Sequence, residues 1–127
     1  PQLGILRKSA LMLTHGGLAS IKGCIYFDVP MLVFPLGRDQ PGNAARVAYH
    51  KLGIVGKIAQ CPLQELQRLV DTVMEEPLYR ERVQQMGKIF RQIEEREKGV
   101  QFIETFALQP QICLPGFGQM RFLPPLF

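Results

Sequence analysis

The chain has 127 residues, of which 46% are hydrophobic and 20% charged, a composition typical of one globular domain rather than a disordered chain. Its formal net charge of +4 suits an anionic ligand, but no block of Lys and Arg residues indicates a nucleic-acid partner. Three widely spaced cysteines without a CxxC pair predict neither a disulfide framework nor a zinc site, and they favour a reducing, cytoplasmic location.

The first part of the chain predicts short strands that alternate with helices. Pro1–Lys8 is expected to form one or two helical turns, and Leu11–Leu13 a short buried strand. After a turn at Thr14–Gly17, an amphipathic helix is predicted over Leu18–Phe27. Gly23 costs that helix about 1 kcal/mol relative to Ala, so we expect a packing reason for it. The side chains expected to face inward are those of Leu18, Ile21, Cys24 and Ile25.

The next elements repeat this order. Met31–Phe34 is a continuous apolar run of the kind found in parallel strands. Pro35–Pro41 is rich in residues that break regular structure and is predicted to be a loop. A helix is then expected over Asn43–Lys51 and a third strand over Gly53–Ile58.

The later part of the chain predicts helices followed by an irregular tail. One helix starts at Pro62 and is broken at Glu76-Pro77. A long helix over Tyr79–Glu97, whose charges are expected to form a solvated face, precedes a short one over Val100–Ala107. Residues 108–127 contain four prolines and no regular period, which predicts a tail that wraps another surface or does not fold alone. The residues expected to face inward are Leu63, Leu66, Leu69, Val70 and Val73, and then Val83, Met86, Ile89, Phe90 and Ile93.

Short apolar strands that alternate with helices predict an α/β fold with a short parallel sheet flanked by helices. Ligands of such sheets bind at the carboxyl ends of the strands. The turn at Thr14–Ser20 and the loop Pro35–Gln40 both follow strands, so both are expected at the same edge. Three strands make a thin sheet, and we expect it to leave one edge exposed.

The turn at Thr14–Ser20 has the arrangement of an anion site. A strand, two glycines and a helix bring free backbone N–H groups and the positive helix end to one point, which suits a phosphate. His15 and Ser20 can add side-chain hydrogen bonds. The alternatives are a structural role in the turn for His15 and a plain polar position for Ser20. Asp39 can equally be the N-cap of the next helix.

Five segments together resemble the donor-binding half of UDP-dependent glycosyltransferases. They are Pro1-Gln2-Leu3 with Ile5-Leu6, Thr14-His15-Gly16-Gly17 with Ser20, Tyr26-Phe27 with Val29-Pro30, Asp39-Gln40-Pro41 with Asn43-Ala44-Ala45-Arg46, and Leu52-Gly53. The chain is similar to the macrolide-glycosyltransferase branch of the family that includes the UDP-glucuronosyltransferases, over residues 1–107. The spacing between the His-Gly-Gly and Asp-Gln motifs is that of the family.

The resemblance implies a GT-B fold, in which two Rossmann-like domains face a cleft. Residues 1–107 would be a partial second domain, the nucleotide-sugar-binding one, without its first strands, and residues 108–127 an irregular tail. In the family, the first motif binds the donor pyrophosphate and the acid–glutamine pair contacts hydroxyls of the donor sugar. These roles fall on His15, Gly16, Gly17 and Ser20 at the pyrophosphate and on Asp39 and Gln40 at the sugar. No metal or other cofactor is implied, because N–H groups and an imidazole can stabilise the departing UDP.

Two residues depart from the family pattern. Ala19 stands where Asn is usual before the serine, and Gly23 stands where a Glu usually binds the ribose hydroxyls. We therefore expect weaker ribose recognition, a different nucleotide or no nucleotide. The resemblance also implies that the first domain, with the acceptor pocket and the catalytic base, is missing. No catalytic residue is assigned to this chain.

The sequence thus predicts the donor-binding part of a glycosyltransferase that, when complete, transfers a hexose from a UDP-sugar to an acceptor hydroxyl. The isolated chain is expected to be inactive. Its expected partners are the nucleotide-sugar donor, a small-molecule acceptor, and a missing N-terminal domain or partner chain. No apolar run reaches the roughly 18–20 residues of a membrane span. Two alternatives stay open: a non-catalytic remnant that binds only nucleotide or a partner chain, and a small α/β phosphate-binding module.

Overall fold

The computed structural model describes residues 2–94 and 98–108, and within them three short strands form one parallel sheet. The strand order is the chain order, so the central strand is the second one. This arrangement confirms the predicted α/β fold with a short parallel sheet. The strands are β1 (Met12–Thr14), β2 (Met31–Val33) and β3 (Gly53–Val55).

Helices connect the strands and continue the chain after them. The helix between β1 and β2 and the helix between β2 and β3 are the crossovers that a parallel sheet requires. A 3₁₀ turn at Ile58–Gln60 follows β3 where the strand was predicted to continue. The helices up to residue 94 are α1 (Gln2–Leu6), α2 (Leu18–Tyr26), α3 (Gln40–Tyr49), α4 (Leu63–Glu75) and α5 (Pro77–Glu94).

A further helix, α6 (Lys98–Leu108), belongs to a second compact unit that begins at Ile93. Its Val100, Phe102 and Ile103 side chains are exposed. The predicted tail from residue 109 onward lies outside the described residues. None of the helices within the described ranges has the length and apolar character needed to cross a membrane.

The central strand is fully buried and the outer strands are not. Met31, Leu32 and Val33 have no exposed surface, whereas Leu13, which lies beside Leu32 in β1, is half exposed. The prediction that the first strand is buried is therefore wrong for Leu13. The reason is that α4 packs against β2 and β3, while β1 forms one edge of the described sheet.

The main core lies between the sheet and the helices on the face of Met31 and Val33. Gly23 of α2 is buried there, and a Cβ atom on it would lie 2.9 Å from Leu6 Cδ1 of α1. This contact is the packing reason that we expected for Gly23. The buried residues of this core are Leu6, Ile21, Cys24, Val29, Met31, Val33, Ala44, Val47, Leu52 and Val83.

Several helix ends and faces differ from the prediction. The helix predicted from Asn43 begins at Gln40, because Pro41 is tolerated in a first helical turn, where its missing N–H has no partner to lose. For the same reason α5 begins at Pro77. Leu18 and Leu63, both expected to face inward, are the first residues of α2 and α4 and are exposed.

The buried face of α5 was also predicted incorrectly in part. Val83 is buried as expected, but Ile89 and Ile93 are exposed. The inward face continues from Val83 to Gly87 and Arg91, at the four-residue spacing of one helix side. Because neither a glycine nor an arginine contributes to an apolar stripe, the sequence pattern extended the predicted face to Ile89 and Ile93 instead, while Met86 packs against the core as expected.

Candidate functional site

The turn between β1 and α2 depends on Gly16. Its φ of +87° lies in the left-handed region that favours glycine, and a Cβ atom there would lie 2.9 Å from Val33 Cγ1. The Gly16 N–H donates to Thr14 Oγ1 at 3.2 Å, so this N–H points into the protein. Gly16 therefore shapes the turn, and the outward donors must come from the residues after it.

Those donors lie at the start of α2. Gly17 is the N-cap and has no side chain to satisfy the helix end, and the first helical hydrogen bond runs from the Ile21 N–H to the Gly17 carbonyl. The first four N–H groups of an α-helix, here those of residues 17–20, lack partners within the helix. With no acidic residue in the first turn of α2, this end is positive and suits an anion.

His15 lies beside these donors. Its side chain is exposed, and its ring is so close to Gly17 that a Cβ atom there would lie 2.8 Å from His15 Nε2. A glycine at position 17 therefore provides the space that the imidazole occupies. Within the described residues we find no hydrogen bond from this ring, so its nitrogen atoms are available to a ligand.

Ser20 is the third residue of α2 and is half buried. Its Oγ accepts a long hydrogen bond, 3.5 Å, from Nε2 of Gln2 in α1. The side chain therefore faces α1 beside the start of α2. A first-turn serine at this place can contact a phosphate bound at the helix end.

Asp39 and Gln40 lie where β2 leads into α3. Gln40 Oε1 accepts the backbone N–H groups of Leu36 at 2.8 Å and Gly37 at 3.2 Å, which fixes the preceding loop. Asp39 occupies the predicted N-cap position, but its carboxylate makes no hydrogen bond to the backbone of the helix. Instead, Asp39 Oδ2 accepts a hydrogen bond of 2.8 Å from Asn43 Nδ2.

The two loops meet at the carboxyl edge of the sheet, as predicted. A Cβ atom on Gly16 would lie 3.6 Å from the Gln40 carbonyl oxygen, and Asn43 Nδ2 donates to the Gly16 carbonyl at 3.1 Å. Thr14 and Asn43 are the residues whose roles the sequence analysis missed. The available signal for Asn43 was its place on the buried face of α3, four residues before Val47, where a polar side chain is unusual.

The predicted site residues are thus placed in two neighbouring groups. Residues 15–17 and 20 surround the start of α2, and residues 39 and 40 start α3. The described residues contain no group of three or more His, Cys, Asp or Glu side chains that could hold a metal ion. Burial raises the pKa of the Cys24 thiol to about 12, so this cysteine is a neutral core residue rather than a nucleophile.

The chain matches the family model described as UDP-glucuronosyl and UDP-glucosyl transferase over residues 1–106. It belongs to this family. The uncharacterized UDP-glucosyltransferase YdhE of Bacillus subtilis is 30% identical over 109 residues, which cover 86% of this chain and 28% of that protein. UDP-glucuronosyltransferase 2B33 of Macaca mulatta is 33% identical over 84 residues, 66% of this chain and 16% of that protein. This member of the family therefore spans less than a third of the length of these relatives.

Solved glycosyltransferase structures share the fold of this UDP-glycosyltransferase chain. The glycosyltransferase of kitacinnamycin superposes with a TM-score of 0.78 at 28% identity, over 83% of this chain and 27% of that one. The calicheamicin glycosyltransferase CalG4 superposes with a TM-score of 0.79 at 20% identity, over 87% of this chain and 29% of that one. The observed fold therefore corresponds to part of the GT-B fold of these glycosyltransferases.

Proposed function

We propose that residues 1–107 are the donor-binding part of a glycosyltransferase that transfers a hexose from a UDP-sugar to the hydroxyl of a small-molecule acceptor. The observation that carries the proposal is the close approach of two loops at one sheet edge, linked by the Asn43–Gly16 hydrogen bond. One loop presents unpaired N–H donors and the other a carboxylate. A nucleotide-sugar carries a pyrophosphate and a hydroxyl-rich ring next to each other, and this arrangement suits both.

The first group would hold the pyrophosphate. We assign the backbone N–H groups at the start of α2, His15 and Ser20 to the phosphate oxygens, with Gly16 and Gly17 allowing the close approach. Negative charge develops on the departing UDP as its bond to the anomeric carbon breaks. Fixed N–H dipoles at a helix end stabilise such charge without a metal ion or other cofactor.

The second group would hold the sugar. The Asp39 carboxylate can accept hydrogen bonds from sugar hydroxyls, and the Gln40 amide nitrogen can donate one, since its oxygen already binds the Leu36 and Gly37 N–H groups. In the proposed transfer, the acceptor oxygen forms the new bond to the anomeric carbon from the side opposite UDP. Its proton passes to a base that we place in a preceding domain or partner chain, so the isolated chain should not turn over.

The cysteines bear on location. Cys24 and Cys61 are free thiols within the described residues, and we propose a reducing, cytoplasmic compartment, where unpaired cysteines are usual.

One observation favours a second candidate, a non-catalytic remnant that has lost part of its donor site and binds only nucleotide or a partner chain. Gly23 is packed beneath Leu6, and the segment Thr14–Phe27 contains no Asp or Glu. A carboxylate that could hold two ribose hydroxyls is thus absent from this loop and helix. To separate the two functions, residues 1–106 would replace the matching segment of a working family member. Sugar transfer by that chimaera supports the donor-binding function, whereas UDP binding without transfer supports the second one.

The direct test is calorimetric titration of the chain with UDP, UDP-glucose and UMP. We expect both diphosphates to bind more tightly than UMP. The variant His15→Ala should bind UDP at least about tenfold more weakly, the effect of one hydrogen bond to a charged group. His50→Ala, at an exposed position after α3, is the matched control and should bind as the parent does. Equal affinity for UDP and UMP would refute the proposed pyrophosphate site.

A further inference from the structure

Two polar residues of the described chain are buried, Thr14 and Asn43, and both hydrogen-bond to Gly16. Thr14 Oγ1 accepts the Gly16 N–H at 3.2 Å, and Asn43 Nδ2 donates to the Gly16 carbonyl at 3.1 Å. Only 7% of Asn43 is exposed. Because unpaired polar groups are costly in a protein interior, these contacts fix the peptide groups on both sides of Gly16.

The same nitrogen of Asn43 also donates to Asp39 Oδ2 at 2.8 Å. A carboxamide nitrogen carries two hydrogen atoms, so it can serve the Gly16 carbonyl and the Asp39 carboxylate at the same time. Neither a carboxylate nor an alkyl side chain at position 43 could do so. Asn43 therefore connects two loops that belong to different strands of the sheet.

We propose that Asn43 is a positioning residue that sets the distance between the pyrophosphate turn at Gly16 and the sugar-binding carboxylate of Asp39. This inference rests on the proposed function, since it takes its ligand groups from there. The pyrophosphate and the sugar belong to one molecule and have a fixed separation. Both can be bound at full strength only when the protein groups that bind them have the matching separation.

The backbone of Asn43 supports this role. Its N–H donates to the Asp39 carbonyl at 3.1 Å, as the first helical hydrogen bond of α3. Its position on the helix is thus tied to Asp39 by the backbone as well as by the side chain. The side chain then links this position to the Gly16 turn through its hydrogen bond to the Gly16 carbonyl.

The test compares UMP, UDP and UDP-glucose as calorimetric probes across four variants of the full chain. Asn43→Leu removes both side-chain hydrogen bonds, and Asn43→Asp removes both while keeping the size of the side chain. Asp39→Asn removes the charge of the sugar-binding group and keeps a side-chain oxygen that can accept the hydrogen bond from Asn43 Nδ2. Tyr49→Leu, at an exposed position of the same helix, is the control.

For both Asn43 variants we expect the preference for UDP over UMP and the preference for UDP-glucose over UDP to fall, each by about fivefold or more. Asp39→Asn should lower the second preference alone, and Tyr49→Leu neither. A purely structural role for Asn43 would lower the melting temperature and weaken all three ligands equally. That result, or unchanged preferences in both variants, would overturn the inference.

A measurement without ligand separates this inference from the proposed function. Amide hydrogen exchange at Gly16 should accelerate about tenfold in Asn43→Leu, relative to the exchange at Val73 in α4, because the turn loses its bond to α3. If the parent chain does not distinguish UDP from UMP, the proposed function fails, and this exchange ratio alone decides the role of Asn43. An unchanged ratio would show that Asn43 does not hold the turn.

Discussion

Arg91 of α5 and Asp28, the second residue after α2, form a bidentate ion pair with N–O distances of 3.0 and 3.2 Å. Arg91 Nη1 also donates to the carbonyl of Tyr26, the last residue of α2. Asp28 has a φ of 58°, so the chain turns sharply there. The guanidinium thus binds the negative end of the helix whose positive end is the candidate phosphate site.

Replacement of Arg91 by Met should destabilise the chain. The change leaves the Asp28 carboxylate and the Tyr26 carbonyl without their partner, and both side chains of the pair are less than one-third exposed. We expect a loss of about 1–2 kcal/mol in the free energy of unfolding, measured by urea denaturation.

The control for this change is Arg68→Met. Arg68 pairs with Glu65 one helical turn away in α4, and this pair is more exposed, at 63% and 35%. The substitution is the same, but the ion pair is solvated, so unfolding should change little. Equal effects of the two substitutions would contradict a specific role for the Arg91–Asp28 pair.

Gly87 allows α5 to approach α2, and substitution by Ala should disrupt that contact. An added Cβ atom would overlap Asp28 Oδ1 and lie 2.6 Å from the Ile25 carbonyl oxygen. We expect a loss of about 1–3 kcal/mol from this overpacking. Gly42→Ala is the control, because an added Cβ there meets nothing within 4 Å. It should stabilise α3 by up to about 1 kcal/mol, and a stabilising Gly87→Ala would argue against the observed contact.

A glutamate at position 23, the residue usual in the family, should destabilise this chain. Its Cβ atom would lie 2.9 Å from Leu6 Cδ1, and its charged side chain would be attached at a buried position of the backbone. We expect Gly23→Glu to lower the free energy of unfolding by about 2 kcal/mol or more, and Gly23→Ala to lower it less. Thermal denaturation followed by circular dichroism would measure both. Equal stability of Gly23→Glu and the parent would show that Leu6 can move aside.

Stability should fall at alkaline pH because of Cys24. The pKa of this thiol rises from 9.0 to about 12 on folding, since burial disfavours the thiolate. Below pH 9 both states are protonated and the stability is unaffected. Above pH 9 the unfolded state loses the proton first, so the free energy of unfolding should fall by about 1.4 kcal/mol per pH unit up to pH 12.

The variants Cys24→Ala and Cys61→Ala test this assignment by urea denaturation between pH 8 and pH 11. Cys24→Ala should lose this part of the pH dependence. Cys61 is only half buried, so Cys61→Ala should keep it. A steep fall that persists in Cys24→Ala would assign the effect to another group.

The fold and the place of the candidate site could be predicted because their signals are local. Apolar runs such as Met31–Val33 and the adjacent glycines at 16 and 17 determine a strand and a turn within a few residues. The alternation of strands and helices then determines a parallel sheet and brings both loops to one edge. Once the strands are located, the residues of the two loops at this edge can therefore be identified from the sequence.

The contacts between distant residues could not be predicted in this way. Asn43 and Gly16 are far apart in the sequence, and nothing in either segment indicates that one hydrogen-bonds to the other. In the sequence, Arg91 looks like one of many charged residues on a solvated helix face. Its ion pair with Asp28 forms only because the end of α2 lies nearby in the fold. The exposure of Leu13 likewise depends on which helices cover β1. These properties come from tertiary packing and not from local sequence.

The Gly16 turn also has a consequence for the kinetics of ligand binding. Its peptide groups are already hydrogen-bonded on both sides, so a ligand does not have to wait for the loop to rearrange. Association should therefore be governed by diffusional encounter, and it should slow as salt screens the attraction between anion and helix end. Differences in affinity among diphosphate ligands should then arise from differences in their dissociation rates.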